Sequence, residues 1–176
     1  MLKTKRSALV FLFFFITLLS LSCAINNSKS QDTKGRTYYR SGEFQLAIEC
    51  HTKAIELWPE NGDAYRNRST AYREIEAYAL ALKDINTAIS FNPEDPSLYL
   101  HRGTIHSKIE EYEKAIEDYT ISIDIEPMHG GSYLARGIAW SKLEEFDMAL
   151  EDCSKALQIE PANAQALKFS QTLMNK

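Results

Sequence analysis

Four short stretches of the chain end alike: "AIELWPEN" (54–61), "AISFNPED" (88–95), "SIDIEPMH" (122–129) and "ALQIEPAN" (156–163). In each, a run of helix-forming residues meets a proline and stops. Proline cannot extend a helix, and it moves the residue before it out of the helical region. Pro59, Pro93, Pro127 and Pro161 each lie 34 residues after the last. A period of that length, built of two helices per unit, predicts an internal repeat and an all-helical chain.

Aligned on those prolines, the segments agree at places with separate physical reasons. Gly35, Ser69, Gly103 and Gly137 fall midway along the first helix of each unit. Glycine there costs up to about 1 kcal/mol of helix propensity, so a partner helix is expected to approach closely. Ala47, Ala81, Ala115 and Ala149, then Ala54, Ala88, Ser122 and Ala156, present small surfaces on the second helix. Phe44, Tyr78, Tyr112 and Phe146 begin that second helix. Tyr65, Tyr99 and Tyr133, with Tyr38, Tyr72 and Trp140, are knobs on the first. Repeat one departs, with Gln31 where the others have tyrosine and His51 where an apolar residue is usual. Its first helix is expected to fray at the end of the stack.

This pattern resembles the tetratricopeptide repeat over roughly residues 29–161. The resemblance implies a right-handed α-solenoid of four helix-turn-helix repeats spanning 34–161, closed by a C-terminal capping helix over 162–176. The cap reading rests on "ANAQALKFSQTLMNK", whose Leu167, Phe169 and Met174 are available for packing.

The first 22 residues, "MLKTKRSALVFLFFFITLLSLS", read as a signal peptide: a basic start, an apolar run of about 14 residues, then small residues. Such a run reaches about 21 Å as a helix, short of the ~30 Å hydrocarbon core. Cys23 follows in "LLSLSC", which resembles a bacterial lipobox and implies lipidation at Cys23. Ser20 stands where that pattern has leucine, and Ser20-Leu21-Ser22 also fits ordinary signal cleavage. Residues 23–33 read as a polar tether running into the first repeat, keeping the domain close to a membrane.

Bulk numbers exclude some classes. The 176 residues are 44% hydrophobic and 25% charged, with a net charge of −4. Three of the 20 basic residues lie in the leader, so the remainder carries 17 basic against 24 acidic side chains, a net −7. A chain that acidic is no general nucleic-acid binder. Cys50 and Cys153 read as small buried hydrophobes. His51, His101, His106 and His129 contain no helical pair of the zinc-ligand kind, so no metal or cofactor is expected. No phosphate loop or nucleophile elbow is present either, so the chain reads as non-catalytic.

Arg68, Arg102 and Arg136 share one place in repeats two to four, and Asp84, Asp118 and Asp152 another. In repeat one both change together, to Lys34 and Cys50, which predicts structural Arg–Asp pairs. The resemblance implies a concave groove lined by the first helices, here Arg36, Tyr39, Arg40, Arg66, Asn67, Thr70, Arg73, Leu100, His101, Thr104, Leu134, Ala135 and Ile138. It reads as basic at its N-terminal end and apolar at its C-terminal end. The chaperone-tail clamp of the family is matched only by Asn67; Asp32, Arg36, Ser97 and His101 replace its other members. The expected function is protein or peptide binding by a scaffold secreted across the inner membrane and lipid-anchored in a bacterial envelope. The alternative is a regulatory or assembly subunit of an envelope enzyme or outer-membrane machinery.

Overall fold

The computed structural model of the protein describes residues 2–174, with side chains from residue 20 onward. Its order is α1 (Leu2–Arg40), α2 (Phe44–Leu57), α3 (Gly62–Glu74), α4 (Tyr78–Phe91), α5 (Pro96–Lys108), α6 (Tyr112–Ile125), α7 (Gly130–Lys142), α8 (Phe146–Ile159) and α9 (Ala164–Met174). No strand occurs among the described residues. The leader reading falls largely on residues 1–19, whose side chains lie outside those described.

The 34-residue clock has a local mechanism at both sides of each proline. Trp58, Asn92, Glu126 and Glu160, each just before a proline, leave the helical region, with ψ of 92°, 77°, 85° and 79°. A following proline excludes the α region in this way. Two residues after each proline, the side chain of Asn61, Asp95, His129 or Asn163 accepts a backbone N–H of the next helix's first turn. Stop and restart are thus written within five residues.

Each odd helix packs antiparallel on the even helix that follows it, and each even helix on the odd helix after that. The odd helices also touch one another, α1 with α3, α3 with α5 and α5 with α7, while the even helices show no comparable packing. The odd helices therefore line the inside of the curve. The close approach expected at the glycines is present. A Cβ on Gly103 would meet the Tyr119 ring at 2.6 Å and the Ala115 carbonyl at 3.1 Å. One on Gly137 would meet the Ala149 carbonyl at 3.1 Å. Ser69 turns the same place to use, donating from Oγ to the Ala81 carbonyl at 2.8 Å.

The stretch 23–33, read as a polar tether and the start of the first repeat, is helical throughout, and its second half packs in the stack. Ser28 is fully buried, donating to the Ala54 carbonyl and accepting from Asn61, and Asp32 is buried against His51. Through the same contacts the first helix of repeat one runs unbroken to Arg40. Partners on α2 and α3 satisfy polar residues that composition alone assigns to solvent.

Candidate functional site: the inner face of the solenoid

The arginines of the inner helices separate into two groups. Arg68, Arg102 and Arg136 are structural. Each binds the carboxylate of its own repeat's outer helix at 2.6–2.7 Å: Asp84, Asp118 and Asp152. Each also donates from Nη1 to the preceding outer helix, at Thr52, Asn86 and Thr120, at 3.1, 2.8 and 3.0 Å. Each guanidinium further lies over a tyrosine one turn earlier, Tyr65, Tyr99 or Tyr133, at 5.5–5.7 Å. The arginine therefore ties its own repeat to the one before. Repeat one has no predecessor to tie, and there tyrosine, arginine and aspartate become Gln31, Lys34 and Cys50 together. The carboxylate hydrogen bonds raise the affinity of each arginine for its proton despite burial.

The second group faces the groove. At the N-terminal end a cleft of about 450 Å³ is lined by Lys29, Asp32, Arg36 and Asp63 among others. Asp32 accepts from His51 Nδ1 at 2.8 Å and from Asn67 Nδ2 at 3.1 Å on both oxygens. Burial raises the Asp32 pKa, but those hydrogen bonds and the nearby charges of His51 and Arg36 outweigh it, so the carboxyl sits below its usual value. Asn67 is thus held by the protein's own carboxylate.

Arg66 pairs with Asp63 at 3.1 Å and Arg73 with Glu74 at 2.7 Å. Tyr39 donates to the same Glu74 oxygen at 3.2 Å, linking α1 to α3. The Arg73 hydrogen bond is the main cause that holds Glu74 below the usual carboxylate range. His101 lies between these arginines on the groove floor, with Nε2 3.3 Å from Ser69 Oγ and Nδ1 3.5 Å from Thr70 Oγ1. Burial, then the charges of Arg73 and Arg66, lower its pKa to about 4, so it is neutral at physiological pH. Thr104, with Arg73, Glu74 and Lys108, lines a further cleft of about 360 Å³. Arg40 is exposed in the last turn of α1.

The apolar end of the groove departs from expectation. Leu134 is buried, in contact with Cys153, Ala156 and Ala166, so the last helix covers it. Leu100 and Ala135 are partly buried against Ala115, Ile116 and Tyr119 and serve the repeat interface. Ile138 alone of the four apolar positions lines an open cleft, which it shares with α9. The sequence reading passed over Lys108 and Lys142, which hold one place 34 residues apart, and Lys168 on α9; the spacing is their signal. Among the described residues no cluster of His, Cys, Asp or Glu is suited to a metal ion, and no helix is long and apolar enough to cross a membrane.

Comparison with known proteins agrees with this architecture. Three tetratricopeptide repeat models match, over residues 33–97, 96–128 and 132–163. The mitochondrial import receptor subunit TOM70 of Rattus norvegicus is 28% identical over 60 residues, covering 31% of this chain and 10% of the receptor. The chain thus spans about a tenth of the curated relatives it matches. Among solved structures, the pilF protein of Pseudomonas aeruginosa superposes with a TM-score of 0.80 at 16% identity, covering 86% of this chain and 69% of that one. A MamA protein gives 0.72 at 18% identity, covering 89% and 81%. The matched models together span most of residues 33–163, the proline clock and its arginine ties recur through them, and the chain belongs to the tetratricopeptide repeat family.

Proposed function

We propose that this chain is a non-catalytic adaptor of the bacterial cell envelope, anchored through a lipid on Cys23, that holds an acidic peptide segment or helix of a partner protein on its inner face. One observation carries the partner class. Charge divides across the solenoid. The inner helices α3, α5 and α7 carry Arg66, Arg73, Lys108 and Lys142 against Asp63 and Glu74, while Arg68, Arg102 and Arg136 are taken up by Asp84, Asp118 and Asp152 of the outer helices. The outer helices α2, α4, α6 and α8 carry four lysines against ten carboxylates. In a chain of net negative charge, a basic inner face attracts acidic segments. Segment recognition by a helical groove uses anchors spaced along one ligand face.

The anchor reading rests on the leader pattern and on Cys23, which is exposed on α1. Two measurements test the proposal. Photocrosslinkers at Thr70 and Thr104 should capture one partner in cells, and the double change Arg66→Glu with Arg73→Glu should abolish capture; capture that persists in the double variant removes the groove. Separately, Cys23→Ala should release the protein from membranes with its melting temperature unchanged. If that variant still sediments with membranes, the lipid anchor is wrong.

A further inference from the structure

The inner helices α5 and α7 and the last helix α9 share a property that α1 and α3 lack: none of the three contains an aspartate or glutamate. Their cations are Arg102 and Arg136, used inside the fold, and Lys108, Lys142 and Lys168, which are exposed. No ion pair joins Lys108, Lys142 or Lys168 to a carboxylate among the described residues. Between α7 and α9 lies a cleft of about 300 Å³. Ile138 and Phe169 form its apolar floor, both packed on the buried cluster of Leu134, Cys153 and Ala166. Lys142, Lys168 and Thr172 stand at its rim.

We propose that this cleft seats one large apolar side chain from an acidic partner segment, with Lys142 and Lys168 binding carboxylates on either side of it. The inference rests on the groove reading above and names the anchor within it. A volume at the lower bound of small-molecule sites, about 300–1,000 Å³, suits a single anchor residue better than a cofactor. Its floor is apolar, which an extended polyanion such as nucleic acid would leave unused. Its rim is cationic with no competing acid on α5, α7 or α9, so a bare hydrophobic segment would leave the lysines idle. A segment combining both features satisfies both, with the apolar anchor supplying affinity and the flanking charges fixing register and speeding encounter.

The test is selection of a random peptide library on the full chain in mild detergent, followed by anisotropy titration of the enriched peptides. These peptides should carry a large apolar residue flanked by Asp or Glu. Their Kd should rise at least tenfold for Lys142→Glu with Lys168→Glu, and for Thr172→Trp, which fills the mouth of the cleft. All three substitutions are at exposed positions, and unchanged thermal melts confirm that the fold is intact. If affinity instead falls only with Arg66→Glu and Arg73→Glu, the groove reading stands and the α7–α9 anchor is overturned. If no peptide is enriched, or neither set of changes matters, both fall. Tighter binding to phosphatidylglycerol vesicles than to any peptide, lost in the lysine variant, would reassign the cleft to lipid. Loss of self-association in that variant would reassign it to a second copy.

Discussion

At Gly103 the sequence gives up helix propensity so that the Tyr119 ring can lie against the α5 backbone. Tyr119 is buried and cannot swing away, so Gly103→Ala is expected to destabilise the chain by about 1–3 kcal/mol, the usual range for overpacking. A urea titration measures it. Arg102 offers a second test. Removing it leaves Asp118, which is 4% exposed, without its bidentate partner. Because Arg102 is itself only partly covered, Arg102→Ala should cost about 3 kcal/mol, the low end of the range for broken buried pairs. A melt near that of the wild type would show that the arginine ties nothing. His101 sets a pH dependence. Its pKa is about 4 in the folded chain against 6.5 when exposed, so between those values the unfolded state binds the extra proton. Stability should therefore fall by about 3 kcal/mol as pH drops from 6.5 to 4, and His101→Gln should flatten that slope. The Arg–Asp pairs were legible in sequence, since both partners change together in repeat one. The inter-repeat bonds to Thr52, Asn86 and Thr120 were not, because they join residues whose proximity exists only after stacking.

Elements in this chain are delimited by short-range chemistry, which is why their bounds were readable. Phe44, Tyr78, Tyr112 and Phe146 are each the first residue of their helix. The turn inside each repeat is different. Glu76, Glu110 and Glu144 lie in the left-handed region, at φ of 59°, 63° and 63°, where repeat one has Gly42 at 78°. A side chain there costs about 1–2 kcal/mol, because Cβ crowds the following carbonyl. Glu110→Gly is therefore expected to stabilise the protein by about 1 kcal/mol, partly offset by the greater freedom of glycine when unfolded. No change, or a loss, in a denaturant titration would contradict this. The repeat alignment already pairs Gly42 with these glutamates, but the sign of φ needs the backbone. Residues 23–33 show the reverse limit. A polar composition suggests a tether, yet Ser28 and Asp32 find partners on α2 and α3, and burial follows.

At the scale of the whole molecule, α9 acts as a lid on repeat four. It covers Leu134 and Cys153, and truncation after residue 161 would expose them. Burial of Leu134 alone contributes about 1.5–3 kcal/mol, so the truncated chain should melt at visibly lower temperature, with repeat four losing amide protection first. Uniform loss of protection across all repeats would mean that the stack has no local end. The same lid turns Leu134 into core, the repeat interface takes up Leu100 and Ala135, and Ile138 lines the cleft it shares with Phe169. Sequence spacing alone determined the 34-residue period, the stop of each second helix at its proline and the arginine–aspartate pairs, because proline and periodic contacts act over fewer than 34 residues. Only the tertiary structure decided which polar residues are buried, which groove cations already have partners and where the inner face stays open. Those outcomes depend on how adjacent repeats and the last helix meet, and no single repeat contains that information.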